Sequence, residues 1–370
     1  MKNSKSNLLH RSVQLLGCAA ALVMAGLPHA EAVAGPAADS SSESQMRGPE
    51  VFGYVQTFFQ QAYHTGEDPD ADNDFFRIQR LRLGVKGDIN PIVSYDLEID
   101  PRAPEVSGIL RDAFIDVKLI PRHVIRIGQQ KTPFGYENDV SSSKLYTVNR
   151  TELSESLGRG INLRDIGVSV RGNVKLGGGF RLEDAIAVVN GAGINVQADN
   201  SQRKNLWGRI GFRYKDNDTE DSGNDFIVRA GLSVASGDML EVEDPDDPTD
   251  DIFIEFKRVG IDVQVEQRWL LASAEYAQGQ ETIVSSPIPA DIGTDEPAGW
   301  YYTLVGRSDY QVGPVVRFDQ FDDDFKRWTV GAYYGEASAP VRVLLNYEYR
   351  QLRDGARQDD KLYLWLQVRF

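Results

Sequence analysis

The feature that most constrains the fold is a two-residue alternation of apolar and polar side chains that recurs along most of the chain. It is clearest in the last ten residues, KLYLWLQVRF, where every second residue is apolar: Leu362, Leu364, Leu366, Val368 and Phe370. Because successive side chains point to opposite faces of a β-strand, such a segment has one apolar face and one polar face. The pattern therefore predicts strands whose two faces meet different surroundings.

About sixteen segments of this kind lie between residues 51 and 370. Many contain ten residues or more, the length needed to cross a bilayer at a tilt, whereas ordinary globular strands average about five or six residues. Their length and number argue against a soluble β-sandwich, which would show the same alternation. The predicted strands are 51–63, 75–88, 91–100, 109–119, 123–131, 161–174, 179–190, 203–215, 224–236, 251–265, 269–283, 299–307, 312–319, 326–335, 340–352 and 361–370.

The connections between these segments alternate between short turns and longer, acidic stretches. Short periplasmic turns and longer outer loops are typical of outer-membrane barrels. A closed barrel pairs every backbone amide between strands and needs only half of each strand to be apolar. At about sixteen strands it encloses an aqueous lumen. The sequence therefore predicts an all-β fold, a transmembrane antiparallel β-barrel of about sixteen strands that covers residues 50–370.

Residues 1–34 are typical of a secretory signal peptide. A basic start with two lysines and one arginine precedes an apolar stretch from Leu15 to Leu27, and A-x-A cleavage sites end at Ala32 and Ala34. Cys18 leaves a lipoprotein as the alternative. Cleavage at either alanine would remove the only cysteine, so the mature fold would not rely on disulfides. Residues 35–49, rich in Gly and Ser, are predicted to be a flexible leader.

The charge of the chain excludes one class of partner. Residues 1–34 contain three Lys or Arg and one Glu, so their removal moves the formal charge from −15 to −17, which argues against nucleic-acid binding. Residues 64–74 and 237–251 contain five and eight carboxylates and no Lys or Arg. The first stretch fails as a calcium loop because Asn73 occupies the Gly position. We interpret both as solvated outer loops, with loose divalent-cation binding beside anionic lipid head groups as the alternative.

Residues 126–138, RIGQQKTPFGYEN, begin like a strand and break at Pro133 and Gly135 into a polar stretch that continues to Gly160. That stretch has neither helical nor alternating periodicity. Loops longer than about 12–15 residues inside a compact domain usually have a function or are disordered. Proline fixes φ and glycine tolerates unusual φ, so both suit a sharp change of chain direction at this point.

These residues, together with GRGINLRDIGVSVRG at 158–172 and the terminal Phe370, resemble the phosphate-selective porin O and P family of Gram-negative outer membranes. The resemblance implies a sixteen-stranded, trimeric channel. It also implies that the third outer loop folds into the lumen and forms a constriction lined with basic residues. Residues 132–160 would be that inward-folded constriction loop. An outer loop that lies over the barrel mouth is the alternative.

The lumen faces of the predicted strands carry charges of both signs. Thirteen Lys or Arg side chains oppose about ten carboxylates, so the lumen is expected to be near neutral or slightly basic. Guanidinium groups match phosphate oxygens in pairs, and rings of Arg and Lys are usual in anion pores. The candidate pore and anion-binding residues are Arg126, Lys131, Lys144, Arg150, Arg80, Arg82, Arg171, Arg209, Arg213 and Arg229.

Two alternatives oppose this assignment. The arginines would have no role in transport if they only brace the barrel wall. The basic residues of the loop would be cancelled if its carboxylates also point into the pore; these are Glu137, Asp139, Glu152 and Glu155.

The sequence predicts an outer-membrane porin for passive diffusion of small anions, with inorganic phosphate as the preferred solute. No chemical step and no cofactor are expected. The expected partners are the anion, outer-membrane lipid and lipopolysaccharide, and further copies of the chain in a homotrimer. A general or weakly cation-preferring porin is the alternative, and an outer-membrane enzyme or adhesin is a third. An enzyme is disfavoured because only His64 and His123 remain after residue 34, and neither has Ser-His-Asp spacing with Ser141–Ser143.

Overall fold

The computed structural model describes residues 47–63, 74–102, 108–158, 164–196, 203–216, 225–242, 252–285, 291–352 and 360–370. The predicted signal peptide, residues 1–34, and residues 35–46 of the predicted leader lie outside these ranges. Most of the acidic stretch 64–74 and residues 243–251 of the second one lie outside them too. Within the described ranges, no helix combines the length and the apolar character that a membrane span requires.

The described residues form seventeen β-strands. They are β1 Glu50–Tyr63, β2 Phe75–Asp88, β3 Val93–Ile99, β4 Leu110–Ile120, β5 His123–Lys131, β6 Arg164–Gly177, β7 Phe180–Val189, β8 Asn205–Lys215, β9 Ile227–Val242, β10 Ile252–Gln267, β11 Leu270–Ser285, β12 Asp291–Asp295, β13 Ala298–Gly306, β14 Val312–Phe321, β15 Phe325–Tyr334, β16 Val341–Leu352 and β17 Asp360–Arg369.

Sixteen of these strands close a barrel. Each pairs antiparallel with its neighbours along the chain, and β1 pairs with β17 from Tyr54 opposite Arg369 to Tyr63 opposite Asp360. Strand β12 pairs only with the end of β11. The rest of β11 pairs with β13, its next neighbour in the wall. The prediction of an antiparallel barrel of about sixteen strands is confirmed. Strand β12 was not predicted, because its five residues are too short to show an alternation.

The alternation separates a lipid-facing surface from an inner surface. On β17, Leu364 and Leu366 are 52% and 41% exposed, whereas Trp365 and Gln367 between and beside them are 2% and 0% exposed. The register carries this division around the barrel, so that large apolar side chains cover the outside. This outer band is the surface that a bilayer would cover.

The two ends of the barrel differ in their connections. One end, the turn end, holds Arg47, the first described residue, the last residue Phe370, and the short connections, such as Arg122 between β4 and β5 and Gly178 between β6 and β7. The connection between β8 and β9, residues 216–226, is the long one at this end. The other end, the loop end, holds the longer connections, although residues 322–324 join β14 to β15 in a tight turn.

Residues 132–158, called L3 below, connect β5 to β6 and fold into the barrel, which confirms the predicted inward-folded loop. L3 contains α1 (Tyr136–Asp139), a 3-10 turn (Ser142–Lys144) and α2 (Glu152–Leu157). The Thr151 hydroxyl caps α2 by accepting a hydrogen bond from the Ser154 amide. Residues 159–160, the end of the predicted loop, lie outside the described ranges.

Candidate functional site

L3 is attached to the inner wall mainly by arginines that donate to its backbone carbonyls. These arginines are at most 4% exposed, so groups of L3 and of the wall, and not water, must stabilise their charges. The bonds are Arg317 to Asn149 at 2.8 Å, Arg327 to Arg150 at 2.6 Å, Arg342 to Ser143 at 2.6 Å and to Leu145 at 2.9 Å, and Arg258 to Leu157 at 2.8 Å. Several backbone carbonyls of L3 are thus satisfied by charged donors of the wall.

Wall side chains also accept hydrogen bonds from the amides of L3. The Glu275 carboxylate on β11 accepts from the amides of Tyr136 and Glu137 at 3.1 and 3.2 Å, and from the Tyr301 hydroxyl at 3.1 Å. On β16, Asn346 accepts from the Val148 amide at 2.8 Å. The L3 backbone therefore forms hydrogen bonds to specific wall side chains both through its carbonyls and through its amides.

Apolar packing also holds L3 against the wall, in two clusters. Phe134, Leu153 and Leu157 of L3 pack into one cluster with wall residues Ala187, Val189, Trp207, Ala235, Phe256, Ala277 and Tyr301. Tyr146 and Val148 of L3 pack into a second cluster with Phe58, Val305, Val315, Tyr333, Leu344, Tyr363 and Trp365. Because all these residues are nearly inaccessible, L3 fills part of the lumen and narrows the remaining path.

Two of the predicted pore residues stabilise L3 from within. The Lys131 ammonium donates to the carbonyls of Asn138 at 2.9 Å, Asp139 at 3.3 Å and Val140 at 3.1 Å. Arg150, 5% exposed, donates to the carbonyls of Glu137 and Val140. Both lie at the constriction where the sequence placed them, but their donors already have partners inside the loop.

The four carboxylates of L3 differ in their exposure. Glu137 is buried, lies 3.3 Å from Arg317, and accepts from the Thr151 amide at 2.9 Å and hydroxyl at 2.7 Å. Burial alone would raise the pKa of Glu137, but Arg317, Arg150 and these hydrogen bonds hold that pKa below the ordinary glutamate value. Asp139 is the exposed carboxylate of the four, and it lies 3.8 Å from Arg171. Glu152 and Glu155 are half-buried, so Asp139 is the loop carboxylate most open to water.

A cavity of about 530 Å³ lies on the turn-end side of L3. Its walls come from L3, from β7 to β11, from β13 and from the turn after β15. Its cationic lining residues are Lys144, Arg209, Arg229 and Arg307, and its carboxylates are Glu137, Asp139, Glu183, Glu266 and Glu336. The cavity lining has four cationic and five anionic side chains, so the electrostatic field in the cavity depends on which of them form ion pairs.

The arginines of this cavity form ion pairs with wall carboxylates. Arg209 lies 2.6 Å from Asp262. Arg229 lies 3.4 Å from Glu266, which also lies 3.2 Å from Arg307. Lys144, on the 3-10 turn of L3, is exposed, and its ammonium makes no hydrogen bond or ion pair with any residue that the structure describes.

A row of four cations crosses the wall near the turn end. Lys175 on β6 lies directly opposite Arg181 on β7, Arg181 opposite Arg213 on β8, and Arg213 opposite Arg229 on β9. We call these four residues the basic row. Like charges in directly opposed positions destabilise a sheet. Within the described ranges, only Arg229 of the four has a carboxylate at ion-pair distance, and the Arg213 Nε is buried with no hydrogen-bond partner.

The other predicted site residues are braced against the wall. Arg126 makes two bonds to Asp116, at 2.7 and 2.9 Å, and Arg82 lies 3.7 Å from Glu98 and 3.6 Å from Asp100. The remaining two also have neutral acceptors: Arg80 donates to the Gln56 side chain at 3.0 Å and Arg171 to the Lys131 carbonyl at 2.7 Å. All four face inward by register, and their contact with anions stays a prediction.

The structure thus brings Lys144, Arg209 and Arg229 together at the cavity, with Arg213 beside them. Sequence reasoning missed Lys175, Arg181 and Arg307. The first two lie on the inward face on either side of the tight turn after β6, so the alternation alone could have identified them. Arg307 follows the last residue of β13, where the alternation no longer assigns a face. Within the described residues, no group of carboxylates and histidines could hold a metal ion.

A closed barrel with an inward loop and a polar, charged lumen defines a porin, a channel protein of the outer membrane. The family described as phosphate-selective porin O and P matches residues 50–253, which is more than half of the chain. The chain belongs to this family. No curated protein sequence matches it significantly.

Solved porin structures share the fold. An anion-selective porin from Comamonas acidovorans has a TM-score of 0.58 and 14% identity, covering 87% of this chain and 99% of that one. OmpT from Vibrio cholerae, in its trimer form, has a TM-score of 0.55 and 12% identity over the same shares. Salmonella typhi OmpF, solved with daunomycin, has a TM-score of 0.54 and 18% identity, covering 88% and 98%. At these identities the likeness concerns the fold alone.

Proposed function

We propose that this porin conducts small anions in preference to cations by passive diffusion, with inorganic phosphate as the preferred solute. The basic row carries the proposal. Three of its four cations have no carboxylate partner among the described residues, and the fourth, Arg229, lines the cavity that also receives the unpaired ammonium of Lys144. A passing anion would supply the missing counter-charge, and guanidinium groups match phosphate oxygens in pairs.

The acidic composition of the chain does not oppose this proposal. Carboxylates of outer loops sit in water, where the Debye length is about 8–10 Å. Charges that line a narrow path act on an ion at contact distance, between low-dielectric walls that focus the field. Local charge at the basic row and Lys144 therefore outweighs a formal charge of −15 spread over the chain.

A general or weakly cation-preferring porin is the second candidate, and one observation favours it. Five carboxylates line the cavity, among them Glu183, which has no ion-pair partner within the described ranges. Arg209, Arg229 and Arg307 are already paired. If Glu183 and Asp139 dominate the path, the field there would be weakly negative, and the family fold would be kept without its selectivity.

Assembly and targeting belong to the same proposal. Residues 1–34 would direct export and be cleaved at Ala32 or Ala34, and the mature barrel would form a homotrimer surrounded by outer-membrane lipid and lipopolysaccharide. OmpT of Vibrio cholerae, which shares the fold, was solved in a trimer form. The transport step requires no cofactor and no chemical reaction, because a water-filled path only has to select among diffusing ions.

The test is the reversal potential of the purified porin in a planar bilayer across a potassium chloride gradient, combined with current block by added phosphate. Wild type is expected to favour chloride, and Arg213→Glu with Lys144→Glu is expected to reverse that preference and relieve the block. Lys257→Glu is the matched control, because Lys257 is exposed on the outward face of β10. A wild type that favours potassium, with no response to the paired change, would establish the second candidate instead.

A further inference from the structure

Glu183 on β7 differs from the other carboxylates that line the cavity. Its side chain makes no hydrogen bond or ion pair with any residue that the structure describes. It is half-buried, so a solute in the cavity can reach its oxygens. The other four carboxylates of the lining each form an ion pair with an arginine; they are Glu137, Asp139, Glu266 and Glu336.

Arginines occupy the neighbouring positions of the inner wall around Glu183. Arg181 lies two residues before it on the same face of β7, and Arg213 lies opposite Arg181 on β8. Arg209, opposite Ala185, takes the corresponding position on the loop-end side. Diagonal neighbours on paired strands are about 7–8 Å apart, which is near enough for long side chains to contact one bound molecule. None of these arginines lies at ion-pair distance from Glu183, so the carboxylate and the cations remain separate groups.

Two glycines leave the wall beside Glu183 open for the guanidinium group of Arg209. Gly211 lies directly opposite Glu183, and Gly231 lies opposite Gly211. The Arg209 side chain crosses these glycines, and its Nη2 lies 2.6 Å from the Asp262 carboxylate. A Cβ at Gly211 would lie 2.8 Å from the Arg209 Nη1, which makes no hydrogen bond within the described part of the chain. A donor and an acceptor without protein partners among the described residues therefore lie close together at the cavity.

These two groups can be satisfied together only by a solute that both accepts and donates hydrogen bonds. An ionised carboxylate only accepts, and a guanidinium group only donates. Hydrogen phosphate has oxygens that accept from Arg209 and a P–O–H group that donates to Glu183. Sulfate has acceptors alone, so one of its charged oxygens would face the Glu183 carboxylate without a proton between them, and this contact is repulsive.

We propose that Glu183 makes this channel select oxyanions that carry a hydroxyl group, as hydrogen phosphate does, against oxyanions of the same charge that carry none. The inference rests on the proposed phosphate transport and identifies the residue that distinguishes phosphate from other anions. A carboxylate that only offset the charge of the basic row would behave differently. It would weaken the binding of all dianions equally, because Coulomb repulsion does not depend on a hydroxyl group.

Current block in planar bilayers at pH 8 by three dianions tests the proposal. The probes are inorganic phosphate, sulfate and methyl phosphate. A phosphate monoester has a second pKa of about 6, so methyl phosphate has lost its hydroxyl proton at pH 8, whereas hydrogen phosphate keeps one. In wild type, the phosphate concentration that halves the current should be about tenfold lower than those of the other two dianions, the effect of one hydrogen bond to a charged group. Glu183→Gln should bring the three concentrations to within about twofold, because the amide can donate to any of the probes.

Glu266→Gln is the matched control, because it removes the same charge from the same cavity at a carboxylate that already has arginine partners. It should strengthen block by all three dianions and keep the preference for phosphate. Channel activity in potassium chloride shows that each variant is folded. Equal block of wild type by the three dianions, or a preference that Glu183→Gln leaves unchanged, would overturn the inference and leave phosphate transport standing. A wild type that favours potassium and is blocked by none of the dianions would overturn the proposed transport as well.

Discussion

Inward arginines occupy two walls of the barrel and meet opposite surroundings. On β14 to β16, Arg317, Arg327 and Arg342 are buried under L3 and donate to its carbonyls. On β7 and β8, Arg181 and Arg213 face the lumen without an ion-pair partner in the described chain. Inward-facing arginines therefore stabilise L3 on one wall, whereas on the other wall their charge remains available to a solute. What separates the two roles is the position of the arginines: L3 packs on β7 and β8 at Ala187, Val189 and Trp207, toward the loop end, whereas Arg181 and Arg213 lie near the turn end.

The largest expected effect is on conductance, and it tests whether L3 is the obstruction. Deletion of about fifteen residues between Asp139 and Leu157 removes α2 and most of the apolar contacts that fill the lumen. Single-channel conductance in a planar bilayer should then rise several-fold. The deletion would leave charged donors on β14 to β16 without acceptors, so a folded barrel must first be verified by strand-dominated circular dichroism. A folded deletion variant with wild-type conductance would place L3 outside the conducting path.

The next largest expected effect is on stability, and its measurement tests whether the two walls differ. Arg317→Ala removes the ion-pair partner of buried Glu137, and loss of one member of a buried pair typically costs about 3–5 kcal/mol. Arg181→Ala is the matched change on the other wall, where relief of like-charge opposition should stabilise the sheet by about 0.2–1 kcal/mol. Urea unfolding in lipid vesicles, followed by tryptophan fluorescence, measures both. Similar losses in the two variants would show that the walls do not differ.

These two walls also show what the sequence could and could not predict. The strands follow from a period of two, which is local, so all sixteen wall strands overlap the predicted segments. The inward direction of Arg317 follows from the same period. Its partner Glu137 lies 180 residues away and is brought to it only when L3 folds back into the barrel. Lys131 and Arg150 were predicted to contact anions because no local pattern shows that their donors bond to loop carbonyls.

A smaller effect concerns the attachment of Tyr146, at the tip of L3, to the turn after β15, and the dependence of that attachment on pH. The Glu336 carboxylate, in the turn after β15, accepts from the hydroxyls of Tyr146 and Tyr333 and lies 3.4 Å from Arg307. Burial opposes its charge, but the Tyr146 hydroxyl, Arg307 and the Tyr333 hydroxyl hold the pKa of Glu336 below the ordinary value. Its stabilising contribution is therefore fully present above the unfolded pKa of about 4.3 and is lost as pH falls through the lower folded pKa.

The measurement for Glu336 is open-channel current noise and unfolding stability between pH 7 and pH 3. Wild type should be steady at neutral pH and become noisier at the acid end as the tip of L3 is released. Glu336→Gln should show the acid behaviour already at pH 7, with a loss of about 1.5–3 kcal/mol, the range for hydrogen bonds to charged groups. Asp309→Asn, which changes an exposed carboxylate in the neighbouring turn, is the control and should behave like wild type.

The smallest effect separates charge from geometry on the two walls. Arg342 donates to the carbonyls of Ser143 and Leu145 from different nitrogens of one guanidinium group, and lysine cannot reproduce this arrangement. Arg342→Lys should therefore cost about 1 kcal/mol, the typical value of one lost hydrogen bond. Arg213→Lys on the open wall should change stability by less than about 0.5 kcal/mol, because no bond to the protein is lost. It should also keep the reversal potential, which depends on charge, and weaken phosphate block, which depends on paired donors. If Arg213→Lys lowers stability as much as Arg342→Lys does, Arg213 has a bracing role like that of the arginines under L3.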